Sequence, residues 1–112
     1  MRIKKARQIL KSLADDTRLR IVNLLKDQEL TVTEMGNVLR KRQPNLSKHL
    51  ARLRLTGIIG DRRQGLNVYY YLIRSDNKEQ RKLLSAITKG LEDLEIFKKD
   101  IEAFKKNKER RI

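Results

Sequence analysis

Apolar residues in this chain recur mostly at intervals of three and four, which predicts helices, with alternation confined to one short region. In IKKARQILKSLA, residues 3–14, Ile3, Ala6, Ile9, Leu10 and Leu13 share a face with lysine and arginine opposite, as in an amphipathic helix. DDTRLRIVNLLKD follows. Asp15 suits an N-cap because its carboxylate can accept a free backbone N–H, and Leu19, Ile21, Val22 and Leu25 supply the apolar side. In LTVTEM, Thr31 and Glu34 stand three residues apart, the spacing at which each side chain can accept the other's backbone N–H. With Val32, Met35, Val38 and Leu39 at helical spacing, this predicts a short helix over 32–39 rather than a strand.

RKRQPNLSKHLARLRLTGII predicts the next helix. Pro44 fits a first turn, where a missing N–H costs nothing, and Gly57 suits a left-handed terminus. Leu46, Leu50, Leu53 and Ile58 point to a core, while Asn45, Lys48, His49 and Arg52 fall together on the opposite face. IIGDRRQGLNVYYYLI then predicts a β-hairpin with Gly65 in its turn and Arg62 and Arg63 at its tip. From about residue 77 to 108 the pattern predicts one long helix. Ile87, Leu94 and Ile101 form one seven-residue row, and Leu83, Gly90, Phe97 and Phe104 form the other. A lone helix cannot bury such a seam, so a partner is expected, and the final residues, 107–112, are expected to fray.

Composition narrows the function. One hundred and twelve residues suffice for a single domain, here divided into residues 1–74 and a C-terminal helical segment, 75–112. Lysine and arginine number 28 against 14 acids, a net charge of +14 that favours a polyanionic partner. The absence of cysteine removes disulfides and thiolate metal sites and fits a reducing cytoplasm, the expected location. No apolar run approaches the roughly 20 residues of a membrane span, so no membrane partner is expected. No cofactor motif, phosphate loop or catalytic constellation is present, and no enzyme activity is expected. His49 is the only histidine, and alone it cannot build a transition-metal site.

A short helix, a tight turn, a polar-faced helix and a hairpin make a winged helix-turn-helix: mainly α, with four helices, two strands and a last helix in order. Between residues 40 and 64 lie eight basic residues and one acid, Asp61. Double-stranded DNA is therefore the expected partner. Asn45, Lys48 and Arg52 are placed to reach base edges, with Gln43, Ser47 and His49 beside them; Lys41, Arg42, Arg62 and Arg63 are placed to meet phosphate. The rival expectation is a winged helix that coats nucleic acid without sequence preference or docks a protein.

Four separated segments, LADDTRLRIVNLL, ELTVTEM, QPNLSKHLARLRLTGII and VYYYL, resemble the ArsR/SmtB winged-helix transcriptional regulators over about residues 5–73. The resemblance implies a homodimer built from the first and last helices, binding palindromic operator DNA and usually repressing transcription. The expected interface is then Ile3, Leu10, Leu83, Ile87, Leu91, Leu94, Phe97, Ile101 and Phe104. Two departures stand out. Metal-sensing members carry Cys-x-Cys where this chain has Thr31-Val32-Thr33, and the family's second site needs histidines that the last helix lacks. No metal is expected, and no effector is implied. In the turn, Arg40-Lys41-Arg42 replaces the usual Gly-apolar-Ser, so the recognition helix lacks its capping serine.

Overall fold

A computed structural model describes residues 1–109. Six helices, α1 (Ile3–Leu13), α2 (Asp16–Leu25), α3 (Val32–Leu39), α4 (Gln43–Leu55), α5 (Lys78–Gly90) and α6 (Glu95–Glu109), surround strands β1 (Leu30–Thr31), β2 (Ile59–Gln64) and β3 (Asn67–Leu72). The core gathers Ile9 and Leu13 of α1, Ile21, Leu24 and Leu25 of α2, Met35 and Leu39 of α3, and Leu46, Leu50 and Leu53 of α4. This is a winged helix-turn-helix. No helix among the described residues is long and apolar enough to cross a membrane.

The local signals hold. Asp15 accepts the backbone N–H of Arg18 at 3.0 Å and caps α2. Thr31 and Glu34 form the reciprocal capping box, at 3.2 and 2.9 Å, that starts α3. Gly57 (φ 74) ends α4: its own N–H reaches Arg54 and that of Ile58 reaches Leu53, so two orphan carbonyls are satisfied before the chain enters β2.

Three expectations need correction. Leu30 and Thr31 form a short strand that pairs antiparallel with Tyr70 and Tyr69, so the sheet has three strands in the order β1-β3-β2. Two residues carry no alternation to read, and only the edge of β3 makes them a strand. The hairpin arms pair as far as Gln64↔Asn67, leaving Gly65 and Leu66 as the tip, with φ 62 at Gly65. A two-residue loop with a positive φ matches the twist of the strands. Arg62 and Arg63 consequently lie within β2, on opposite faces.

The third correction concerns the tail, which is two helices rather than one. Helix α5 ends at Gly90, whose helix propensity is poor. After residues 91–94, α6 turns back to pack on α2 and α3. Phe97 and Phe104 are thereby buried within their own chain at 3% and 6% exposure, which removes both from the expected dimer seam. Arg20 grips Asp100 through two 2.8 Å bonds, and the Asn23 amide donates to the Phe97 carbonyl at 3.2 Å. The hydrogen bond to Asp100 raises the pKa of Arg20 against the effect of its burial. Folding back buries Phe97 and Phe104 of one apolar row inside the chain, while Leu94 of the other stays 45% exposed. Of the tail expected to fray, Asn107–Glu109 continue α6, and residues 110–112 lie outside the described residues.

Candidate nucleic-acid interface

Helix α4 owes its exposed face to simple bookkeeping of sides. Leu46, Leu50 and Leu53 are fully buried, which forces Asn45, Lys48 and Arg52 outward. Gln43 and Ser47 are also exposed, and no acidic residue occurs anywhere in the helix. Arg42 occupies the N-cap without a side-chain cap bond, Pro44 brings no N–H to the first turn, and the Asn45 N–H donates to the Arg42 carbonyl at 3.1 Å. Of the expected set, Lys41, Asn45, Lys48, His49 and Arg52 line one surface of α4 and its turn, and Arg42, Gln43 and Ser47 are exposed.

The turn itself carries strain. Arg40 takes the left-handed conformation (φ 54, ψ 49) that closes α3, a position that glycine fills at less cost. The N–H groups of Arg40 and Lys41 both reach the Gly36 carbonyl.

On the wing the two arginines separate. Arg62 is occupied: its Nε donates to Glu29 at 2.5 Å, its Nη1 donates to Gln64 at 2.7 Å, and its guanidinium lies 4.8 Å above the Tyr69 ring. Arg63, on the other face, is exposed and makes no side-chain bond among the described residues. Asp61, the one acid in this segment, is taken up by Arg54 of α4 at 3.1 Å, tying helix to wing. Leu66 stands fully exposed at the tip.

A concave surface between the start of α2 and α4 is lined by Thr17, Arg18, Lys41, Asn45, Lys48, His49 and Arg52. Arg18 and Thr17 were not identifiable from sequence, since their place depends on packing across more than thirty residues. His49 is half-buried here, its Nδ1 3.1 Å from Arg18 Nη1 and 3.6 Å from Asp15. Burial would raise the Asp15 pKa, but the backbone N–H groups of Arg18 and Thr17 and the charge of Arg18 outweigh it and hold the carboxyl below its ordinary 3.8.

The Thr31 hydroxyl is engaged as the cap of α3. Among the described residues no group of three His, Cys, Asp or Glu side chains is placed to hold a metal ion.

A second surface is apolar. Ile3 and Leu10 of α1 are 81% and 50% exposed, and Leu94 and Ile96 beyond α5 are 45% and 44% exposed. The Met1 amino group meets Glu79 at 2.5 Å, bringing α1 beside α5, where Leu83, Ile87 and Leu91 are half-buried.

Comparison with known proteins gives the following. The family model for bacterial regulatory proteins of the arsR family matches residues 15–60. The arsenic resistance transcriptional regulator ArsR1 of Pseudomonas putida is 43% identical over 86 residues, covering 76% of this chain and 64% of that protein. The arsenical resistance operon repressor of Escherichia coli is 48% identical over 66 residues, covering 58% of this chain and 56% of that protein. The chain therefore spans less than two thirds of either arsenic regulator. The transcriptional activator HlyU of Vibrio cholerae is 39% identical over 80 residues, covering 71% of this chain and 74% of that protein. A solved HlyU structure superposes with a TM-score of 0.68 at 34% identity, covering 77% of this chain and 90% of that one.

Proposed function

The chain belongs to the arsR family of bacterial regulatory proteins, and on that premise we propose that it is a transcriptional regulator binding palindromic double-stranded DNA as a homodimer. The observation that carries this reading is the exposed face of α4, which presents Asn45, Lys48 and Arg52 with no acid in the helix to compete for them. Arginine and lysine reach guanine O6 and N7, and asparagine pairs with adenine N6 and N7. Gln43, Ser47 and His49 flank that set; Lys41 and Arg42 meet phosphate beside it. On the wing, Arg63 is the principal phosphate contact, and Arg62 contributes only as far as Glu29 and Tyr69 release it.

The homodimer uses the apolar surface of α1 and the α5 region, Ile3 and Leu10 with Leu83, Ile87, Leu91 and Leu94, and the half-buried Ile101 of α6 adjoins it. Two copies related by a two-fold axis read an inverted repeat. Repression is the expected mode, as the name of the E. coli relative says of that protein. This chain has no cysteine, so any effector acts without a thiolate site. Lys48→Ala or Arg52→Ala tests the reading. Each is expected to cost about 1–3 kcal/mol of DNA affinity and to relax base preference at one position of each half-site. Unchanged affinity and preference in both variants would refute it.

A further inference from the structure

The single histidine stands in a hydrogen-bonded cluster whose chemistry restricts what it can recognise. The Arg18 guanidinium that approaches His49 is held from behind, its Nε donating to the Ser12 carbonyl at 2.5 Å. The backbone N–H of Arg18 donates to Asp15 at 3.0 Å, which anchors the residue to the α2 cap. A guanidinium carries donors and no acceptor. The 3.1 Å contact is therefore Arg18 Nη1 donating and His49 Nδ1 accepting. Asp15 Oδ2, at 3.6 Å from the same nitrogen, is too far to claim a proton there.

A neutral imidazole has one donor and one acceptor nitrogen, so a ring that accepts at Nδ1 carries its proton at Nε2. Nε2 sits on the other edge of the ring. It has no hydrogen-bond partner among the described residues and is not buried. His49 lines the concave surface alongside Asn45, Lys48 and Arg52.

We propose that Arg18 is a positioning residue that fixes the tautomer of His49, so that the recognition surface presents a donor, and not an acceptor, at Nε2. Resting on α4 as the DNA-facing helix, this assigns His49 to an acceptor atom: a purine N7, guanine O6, thymine O4 or a phosphate oxygen. It excludes the amino groups of adenine and cytosine as partners for that nitrogen.

With only one histidine in the chain, nitrogen NMR of the free, full-length protein reads a single imidazole. Its neutral form is expected to show protonated Nε2 and unprotonated Nδ1. Arg18→Met is expected to shift the ring toward Nδ1–H, and Arg18→Lys to restore the original tautomer in part. A wild-type ring protonated at Nδ1 would overturn the proposal without any variant, as would an unaltered tautomer in a folded Arg18→Met protein.

The acceptor is then located on a duplex selected from random DNA. His49→Ala is expected to weaken binding about tenfold, the scale of one hydrogen bond. On duplexes carrying 7-deazaguanine or 7-deazaadenine that loss disappears if the partner is a purine N7; on methylphosphonate duplexes it disappears if the partner is phosphate. Full His49→Ala loss on all of these substituted duplexes, and on duplexes with guanine O6 or thymine O4 removed, would overturn the donor role. Failure to bind any DNA with the tautomer intact would refute the DNA reading instead, and the two failures are distinct.

Discussion

Helices α4 and α6 are 13 and 15 residues long, and each combines an apolar stripe with several basic side chains. Their settings differ. In α4 three leucines fill the core, and the opposite face holds Lys48 and Arg52 with no acid in the helix. In α6 five lysines alternate with four acids; Lys99 pairs with Glu95, while Asp100 is buried against Arg20. Total charge does not distinguish a recognition helix from a structural one. What distinguishes them is whether the basic residues have carboxylates to meet inside the chain. Arg62 and Arg63 repeat the contrast within one strand, one held by Glu29 and the other free to face a partner.

Five changes probe that contrast. Phe104→Ala should have the largest effect, lowering unfolding free energy by about 3–5 kcal/mol in urea titration, since it opens a cavity between α6 and α3. DNA affinity per folded molecule should be little changed. Asp100→Ala should cost about 2 kcal/mol of stability, below the ~3–5 of a fully buried pair because the Arg20 side chain keeps 20% exposure. If either variant weakened DNA binding as much as Arg52→Ala does, α6 would not be purely structural.

On the wing, Arg63→Ala should lower the salt dependence of binding by about 0.9 in log–log slope, one phosphate's worth. Arg62→Ala should lower it by less, and equal effects would show that Glu29 lets Arg62 go on binding. The smallest effect is expected at the turn. Arg40→Gly should stabilise the fold by about 1 kcal/mol, by relieving a left-handed non-glycine residue, while removing one cation beside α4. A loss of stability would mean that the Arg40 side chain holds the turn in some other way.

Much of this fold was legible because its signals are local. The Thr31–Glu34 box, the Asp15 cap and Gly57 each rest on residues within a few positions, and all stand where the spacing predicted. The end of the chain was not legible for a definite reason. A seven-residue apolar repeat states that a surface must be covered and does not state by what. Phe97 and Phe104 are buried in the helix that packs on α2 and α3 of their own chain, because the break after Gly90 lets α6 fold back. Strand β1 was missed because two residues hold no period.

The outward set on α4 followed directly from the leucine spacing. The engagement of Arg62 by Glu29 and of His49 by Arg18 did not, because those partners lie 33 and 31 residues away. Sequence gave the cations of this surface; only packing separates the committed ones from the available ones.

Selection of bound sequences from random double-stranded DNA, at a fixed salt near ~0.15 M, tests the central claim most directly. The account predicts an inverted repeat whose half-sites lie about 10 base pairs apart, or a multiple of that, with enrichment lost in Lys48→Ala and Arg52→Ala. Enrichment of no sequence, or a preference below about 10³ over bulk DNA, would contradict it and leave a basic winged helix that coats nucleic acid.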